Sequence, residues 1–159
     1  MVTIRPKKIV EMGVTGKALS HSKTAVQVRD LNVIIDEPTE RGGTNEGPAP
    51  VETVLVALAA CTNRIGHKCA KKNDVEILGM DIDVVVVFDR RGADLEEEID
   101  VPFREIRMII DLETTASDDA VEAMKTDLAK FCPVSKLIRQ AGTKITEEWR
   151  VTRPAEAGA

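Results

Sequence analysis

The feature of this sequence that most constrains its fold is a glycine- and proline-rich loop that leads into a long apolar helix. The loop of residues 37–49 and the following Pro50 together contain three glycines and three prolines, a composition that favours turns over regular structure. Pro50 suits the first turn of a helix, where its missing N–H costs nothing, and Glu52 adds negative charge at the positive helix end. We therefore predict a central helix over about residues 50–72, whose apolar section ends at Cys61.

Short strands are predicted before this helix. β-branched residues recur between turn-forming residues in the N-terminal part of the chain, over about residues 7–36. A small antiparallel sheet is the simplest arrangement for such strands, because short turns can join them. The predicted strands are Ile9–Val14, Lys23–Val28 and Asn32–Asp36.

The part of the chain after the helix, about residues 75–151, has a β-β-α-β pattern. Apolar residues alternate along Val75–Phe88 and Phe103–Leu112, which predicts two long strands paired as an antiparallel hairpin. Ser117 suits a helix N-cap, and apolar residues follow it at helical spacing for roughly 13 residues, up to Pro133. The remaining elements are helical turns over Val134–Gln140, a closing strand over Thr143–Val151 and a short tail over residues 154–159.

The order of these elements indicates the fold class. Strands, helix, strands, helix and strand follow one another, which is typical of an α+β fold and not of a regular β-α-β winding. A chain of 159 residues is long enough to bury a hydrophobic core. We predict a single domain over residues 1–159.

The charge and the aromatic content of the chain argue against several classes of function. Its 22 basic and 27 acidic residues give a net charge of −5 and are interspersed, whereas a nucleic-acid surface needs clustered cations. The longest uncharged apolar run, Val54–Cys61, is far shorter than the roughly 20 residues that cross a bilayer. The N-terminus lacks the apolar run of a signal peptide. We expect a cytoplasmic protein that binds neither nucleic acid nor membranes.

Cys61, the first of three cysteines, is the leading candidate for a reactive group. A nucleophilic cysteine works as a thiolate, so its pKa must be lowered from about 8.5 by a cation or a helix N-terminus. Cys61 lies about three turns into the predicted helix, where the field of the helix dipole has largely faded. Arg64 follows at i+3, and three further cations could approach through the fold: Lys17, Arg29 and Arg41. The alternative is an inert core residue, the usual state of a lone cysteine in an apolar helix.

Cys132 could supply a second reacting sulfur. It stands directly before Pro133, at the end of the second predicted helix, where a side chain can face a neighbouring element. It could resolve a sulfenic acid on Cys61, provided that the fold brings the two sulfurs together across the 71 positions between them (132 minus 61). The alternative is a buried structural cysteine beside a helix stop.

Other chemistries lack a supporting motif. Cys69 lies near the polar end of the predicted helix, and we treat it as incidental. The histidines, His21 and His67, and the cysteines do not have the C-x-x-C or H-x-x-x-H spacing that is typical of zinc sites. The sequence also contains neither a G-x-S-x-G elbow nor a phosphate-binding Gly-Lys-Ser/Thr loop. We therefore predict neither a metal nor a cofactor.

Four short segments carry a family resemblance. They are Gly42-Gly43, Gly47-Pro48-Ala49-Pro50-Val51-Glu52, Ala57-Leu58-Ala59-Ala60-Cys61 and Cys132-Pro133-Val134. In this order and separation they resemble the OsmC/Ohr family of thiol-dependent hydroperoxide reductases, and the resemblance extends over roughly Thr15–Val151. It implies an OsmC-like fold, with a long central helix wrapped by antiparallel sheets in an intertwined homodimer and with active sites near the dimer interface.

The resemblance also implies a reaction. Cys61 would attack the outer oxygen of a hydroperoxide, release an alcohol or water and become a sulfenic acid. Cys132 would condense with this sulfenic acid to a disulfide, which a dithiol reductant, small or protein-bound, would reopen.

Two positions depart from the organic hydroperoxide branch of the family. That branch has a glutamate ten residues before the reactive cysteine, where this chain has Val51. Glu52, nine residues before Cys61, lies about half a turn away on a straight helix and could serve the helix end instead. The branch also has an arginine near the N-terminal strands, where this chain has Lys17, a point charge without the bidentate fork of arginine. These departures resemble the OsmC-like branch.

The sequence supports three hypotheses about function. The first is a thiol-dependent peroxidase that reduces organic hydroperoxides or hydrogen peroxide. The second is a dimeric protein of the same fold with weak or no peroxidase activity, which binds a small molecule or senses oxidants. The third gives the cysteines a purely structural role, so that Cys61→Ser and Cys132→Ser would change stability alone.

Overall fold

A computed structural model of the protein describes residues 8–154. It has an α+β fold with one long helix and two small sheets, which confirms the predicted fold class. The strands are β1 (Thr15–Ala18), β2 (Thr24–Val28), β3 (Leu31–Ile35), β4 (Gly79–Phe88), β5 (Phe103–Glu113) and β6 (Lys144–Thr152). The helices are α1 (Pro50–Lys72), α2 (Asp118–Phe131) and α3 (Pro133–Gln140), with a 3-10 turn at Thr39–Arg41.

The chain separates into two compact units, one ending at Thr53 and the other beginning at Val54. The prediction of a single domain over residues 1–159 stays a prediction. The predicted tail lies outside the described residues apart from Pro154, as does residue 7 of the predicted N-terminal part.

The first unit contains a three-stranded antiparallel meander in the order β1-β2-β3. The second and third strands lie within one residue of the predicted bounds. The first predicted strand, Ile9–Val14, is wrong, because these residues are exposed and irregular and β1 begins only at Thr15. The hairpin turn places Ala18 opposite Thr24, so β1 is the antiparallel partner of β2. The residues of Ile9–Val14 do not pair with any strand within residues 8–154.

The loop of residues 37–49 folds back onto the end of β3. The Oδ2 atom of Asp36 accepts hydrogen bonds from the Thr44 hydroxyl at 2.6 Å, the Thr44 N–H at 3.0 Å and the Glu46 N–H at 3.3 Å. The Thr44 hydroxyl and these N–H groups hold the pKa of the Asp36 carboxyl well below its usual range, although burial acts in the opposite direction. A single ionised side chain thus organises the glycine-rich loop that precedes α1.

Helix α1 begins and ends where the sequence predicts. The Oε2 atom of Glu52 accepts the N–H of Ala49 at 2.9 Å, and the Thr53 hydroxyl donates to the Ala49 carbonyl at 3.1 Å, so the first turn is capped. Lys71 and Lys72 in the last turn complement the negative end of the helix dipole. Neither α1 nor another helix within residues 8–154 has the length and apolarity to cross a membrane.

The second unit contains a three-stranded sheet in the order β4-β5-β6. β4 and β5 form the predicted antiparallel hairpin, with Gly79 opposite Glu113. β4 starts later than the predicted Val75: Asp74 adopts a left-handed conformation (φ 54°), and the N–H of Val75 still donates to the carbonyl of Ala70 at the end of α1 at 2.9 Å. β6 runs parallel to β5, whereas the sheets were expected to be antiparallel. The connection between β5 and β6 passes through α2 and α3, and a crossover of this length permits parallel pairing.

Two apolar clusters form the core of the second unit. The first joins α1, α2 and β5, and Cys61 packs against it. The second joins α1, α3, β5 and β6. β5 serves both clusters because alternate residues on one of its faces are buried: Ile106, Met108, Ile110 and Leu112.

The junction between α2 and α3 positions a cysteine. α2 begins after the predicted N-cap, Ser117, whose Oγ accepts the N–H of Ala120 at 3.3 Å, and it ends at Phe131. α3 begins at Pro133, which suits a first helical position because proline lacks an N–H. Cys132 is therefore held between two helix ends.

Candidate active site

Two of the three cysteines meet in the second unit. The Sγ atoms of Cys61, on α1, and Cys132, between α2 and α3, are 3.3 Å apart. Both thiols are free. A disulfide needs the two sulfurs at about 2.05 Å, so a movement of little more than 1 Å would join them.

The backbone fixes the sulfur of Cys132. Its own N–H donates to the carbonyl of Leu128 at 3.0 Å and so ends α2. Its Sγ accepts the N–H of Ser135 at 3.5 Å, which makes the thiol the N-cap of α3. The side chain is held in this orientation by both helix ends.

The two thiols differ in exposure. Cys61 is half-buried, whereas Cys132 is 1 % exposed. Burial raises the pKa of the Cys132 thiol to about 11, the hydrogen bond with Cys61 raises it further, and the N–H of Ser135 acts in the opposite direction. The S–H of Cys132 donates toward Sγ of Cys61. At neutral pH the proton therefore stays on Cys132.

Apolar side chains pack around the sulfur of Cys132. Cys132 belongs to the first core cluster, whose buried members include Leu112, Met124 and Leu128. Val134 packs against the same cluster. Water has little access to the sulfur of Cys132, so reaction between the sulfurs would take place in a dry environment.

Arg64 and Glu52, two predicted activators of Cys61, lie on α1. Arg64 is exposed, and within residues 8–154 no hydrogen bond or ion pair joins it to another side chain. The carboxylate of Glu52 is occupied at the helix start by the N–H of Ala49. Their role as activators stays a prediction.

Three further predicted activators belong to the first unit. Lys17 is exposed on β1, and Arg29 occupies the turn between β2 and β3 with a left-handed backbone (φ 57°). Arg41 lies in the 3-10 turn, and its Nη1 contacts Glu37 Oε2 at 3.2 Å. Their activating role also stays a prediction.

The sequence-based search missed two polar residues next to Cys132. Ser135 contacts its sulfur, and Arg139 Nε donates to the Oγ of Ser135 at 3.3 Å. A signal for Ser135 was present, because Pro133 at the first helical position marks Cys132 as N-cap and Ser135 as the third helical residue. Cysteine is not among the usual N-cap residues, so the sequence around Cys132 does not stand out as a helix start.

Cys69 lies elsewhere on α1 and is buried, and burial raises the pKa of its thiol. It lines a cavity of about 350 Å³ together with Ile65, Lys68, Lys72 and Phe131. Nδ1 of His67 forms a hydrogen bond at 3.0 Å with the carbonyl oxygen of Asn63, one turn earlier on α1. Within residues 8–154, no group of three or more His, Cys, Asp or Glu side chains has a metal-binding arrangement.

Comparison with known proteins identifies the family. A family model described as OsmC-like protein matches residues 43–148. A comparison with curated proteins gives no match. Among solved structures, an OsmC-like protein from Mycoplasma pneumoniae is 16 % identical, with 91 % of this chain and 97 % of that chain covered at a TM-score of 0.73.

Two other solved structures are named for hydroperoxide resistance. An organic hydroperoxide resistance protein OsmC from Legionella pneumophila is 16 % identical, with 92 % of this chain and 99 % of that chain covered and a TM-score of 0.62. An organic hydroperoxide resistance protein from Elizabethkingia anophelis is 16 % identical, with 93 % and 99 % covered and a TM-score of 0.63. At these identities the likeness is one of fold. The family match spans more than half of the chain and includes both Cys61 and Cys132, and the chain therefore belongs to the OsmC-like family.

Proposed function

We propose that the protein is a thiol-dependent peroxidase that reduces organic hydroperoxides or hydrogen peroxide through a sulfenic acid at Cys61, which Cys132 resolves. The observation that carries the proposal is the 3.3 Å separation of the two sulfurs, which come from positions 71 residues apart. Two solved structures of the same fold, named for organic hydroperoxide resistance, support the choice of substrate class.

The first step takes place at Cys61, because this residue is partly exposed, whereas Cys132 is buried. Its thiolate attacks the outer oxygen of the hydroperoxide, the O–O bond breaks, and an alcohol or water leaves. Cys61 is then a sulfenic acid. The buried thiol of Cys132 keeps its proton during this step, because its pKa is raised to about 11.

The second step joins the two sulfurs. The sulfur of Cys132 attacks that of the Cys61 sulfenic acid, the S–O bond breaks, and water leaves. A dithiol then reduces the disulfide by exchange and regenerates both thiols. The short approach between the sulfurs favours this step, since little rearrangement is needed before the S–S bond forms.

The test is a thiol count after oxidation. Reduced protein is mixed with cumene hydroperoxide or with hydrogen peroxide, and free thiols are titrated and mapped by mass spectrometry of peptides. We expect the loss of two thiols and a disulfide between Cys61 and Cys132, with Cys69 still free. Cys132→Ser should stop at a sulfenic acid that dimedone traps, and Cys61→Ser should not react. Unchanged thiol titres at both positions would reject the proposal.

A second candidate is a small-molecule binder or redox sensor of the same fold with weak peroxidase activity. It is favoured by one observation: the carboxylate of Glu52 is engaged at the helix start. The pH dependence of Cys61 alkylation separates the two candidates. Rapid alkylation near neutral pH supports catalysis, whereas alkylation only at about pH 8 to 9 is typical of an ordinary thiol and supports the second candidate.

A further inference from the structure

We propose that Ser135 and Arg139 are positioning residues, which hold and stabilise the sulfur of Cys132 while it closes the disulfide with Cys61. The inference rests on the proposed function, because it concerns the second step of that reaction. It extends the site from two sulfurs to a side-chain network that runs from α3 to β6.

The first link of the network joins Ser135 to Cys132. Ser135 is buried, and its N–H donates to Sγ of Cys132 at 3.5 Å. As the third helical residue of α3, Ser135 occupies the position whose N–H is characteristically accepted by the N-cap side chain. Its Oγ accepts a hydrogen bond from Arg139 Nε at 3.3 Å, which anchors the side chain and the first turn of α3.

The second link holds Arg139 in place. Its Nη1 donates to the carbonyl of Ile145 at 3.0 Å, and its Nη2 contacts Glu147 Oε1 at 3.0 Å. The other carboxylate oxygen, Glu147 Oε2, accepts the indole N–H of Trp149 at 3.2 Å. Three hydrogen bonds, to Ser135, Ile145 and Glu147, therefore fix the guanidinium and, through Nε, the side chain of Ser135.

The chemistry of the second step explains why such donors matter. The thiol of Cys132 gives up its proton as its sulfur attacks the sulfenic sulfur of Cys61. The S–S bond forms, the S–O bond breaks, and the departing hydroxide takes the proton and leaves as water. Negative charge develops on a sulfur that is 1 % exposed and packed among apolar side chains, where an unpaired charge is costly.

The donors of α3 face this developing charge. The N–H of Ser135 already acts to lower the pKa of Cys132, although burial outweighs it. The thiol that contacts Cys132 from α1 is Cys61; the same core cluster also contains the buried thiol of Cys69 on α1, whose pKa is raised by burial, and the remaining members of the cluster are apolar. The N–H of Val134 acts in the same direction, and the hydrogen bond from Arg139 to the Ser135 side chain holds the first turn of α3, so that both N–H groups keep facing the sulfur when it carries charge.

The experiment measures disulfide closure separately from sulfenic acid formation. Rapid-mixing kinetics with cumene hydroperoxide are recorded from neutral pH up to about pH 11, so that the range includes the pKa of Cys132, for the wild type, Ser135→Ala, Arg139→Met and Lys136→Met. Lys136 is the matched control, an exposed cation on the same helix without an ion pair in the described part of the chain. Ser135→Thr retains the hydroxyl and tests for rescue, and thermal unfolding reports any loss of stability.

We expect closure to slow by about tenfold in Ser135→Ala and Arg139→Met, with its pH profile displaced upward, because both variants lose the hydrogen bond that keeps the N–H donors of α3 aimed at the sulfur, and a hydrogen bond to a charged group is worth about one pKa unit or more. The sulfenic acid should accumulate in these variants and be trapped by dimedone. Lys136→Met and Ser135→Thr should close like the wild type. Closure at the wild-type rate and with the wild-type pH profile in Ser135→Ala overturns the inference, even if that variant is less stable.

A second oxidant separates failure of this inference from failure of the proposed function. Diamide, a diazene, accepts two electrons from two thiols and becomes a hydrazine, so it closes the disulfide without a peroxide. If hydroperoxides leave the wild type unchanged, the proposed function fails, but diamide still reports the closure rates of the variants. Equal rates for the wild type and Ser135→Ala with diamide, or no linkage of Cys61 to Cys132 in the wild type, also overturn the inference.

Discussion

At the scale of single residues, the environments of the cysteines distinguish their chemistry. Cys132 is buried, and its pKa is raised to about 11 chiefly by that burial. Cys69 is buried as well, and burial raises its pKa too. Cys61 is the partly exposed member of the three. A reaction of the close pair with a dissolved oxidant is therefore expected to begin at Cys61.

The raised pKa of Cys132 predicts a loss of stability at alkaline pH. The unfolded thiol ionises near its ordinary pKa of 9.0, whereas the folded value is about 11. Because the folded pKa is the higher one, this contribution is fully present below pH 9 and is lost as the pH rises through 11. Two pKa units correspond to about 2–3 kcal/mol.

Urea unfolding of the wild type and of Cys132→Ala across this pH range measures that contribution. We expect the free energy of unfolding to fall less steeply with pH in the variant, by about 2 kcal/mol over the whole range. Cys69 is present in both proteins, so its own titration cancels to a first approximation. An equally deep alkaline decline in both proteins would contradict the assignment.

The sequence could predict which two cysteines are candidates for reaction but not their surroundings. The motifs around Cys61 and Cys132 carry the resemblance to the family, which implies that the sulfurs meet. Spacing alone could not predict the contact, because it depends on how α1 packs against the α2–α3 junction. The contacts of Ser135 could not be predicted for a related reason: one is with an N-cap sulfur, and the other is with an arginine that β6 holds in place.

At the scale of secondary-structure elements, local sequence signals predict where a helix begins, whereas the bounds and direction of a strand depend on its pairing with distant residues. Pro50 and Glu52 mark the start of α1, so the sequence predicts that boundary to the residue. The predicted position of β1 is wrong because a strand is defined by its partner. The short turn before β2 brings Thr15–Ala18, and not Ile9–Val14, opposite β2. The parallel direction of β6 follows from a crossover through two helices, which the alternation of its residues does not reveal.

The loop before α1 allows a test at the scale of elements. A Cβ atom at Gly47 would lie 2.0 Å from the Ile34 carbonyl oxygen, a contact with backbone that cannot be relieved by turning a side chain. We expect Gly47→Ala to lower the free energy of unfolding by about 2 kcal/mol or more. Gly16→Ala is the control in the same unit, because its Cβ would lie 3.6 Å from the nearest side-chain atom, Thr24 Cγ2. Urea unfolding curves that shift equally for both variants would show that the contact between Gly47 and the Ile34 carbonyl does not determine the loss of stability.

At the scale of the whole molecule, large apolar side chains remain on the surface of the second unit. Val56 on α1, Phe131 at the end of α2 and Leu137 on α3 are each more than half exposed. Exposed apolar residues that cluster on a surface often mark an interface. Proteins of the OsmC/Ohr family are typically homodimers, and we propose that this chain also forms one, with α1 at the interface.

The assembly proposal predicts the mass in solution and a variant that changes it. Size-exclusion chromatography with light scattering should give twice the 17.4 kDa of the chain. Val56, 56 % exposed, shares an exposed stripe of α1 with Ala57 and Ala60, whose small side chains permit close helix packing. Val56→Glu would bury an unpaired carboxylate in each subunit and should weaken association by about a hundredfold.

Leu95→Glu is the matched control, because Leu95 is 94 % exposed on the connection between β4 and β5. The same apolar-to-charged change there should leave the dimer intact. If the wild type has the mass of one chain at all concentrations, α1 has no symmetry mate and the candidate site must work within a single chain. If both variants dissociate equally, net charge and not the α1 surface controls association, and the interface has to be sought on another face.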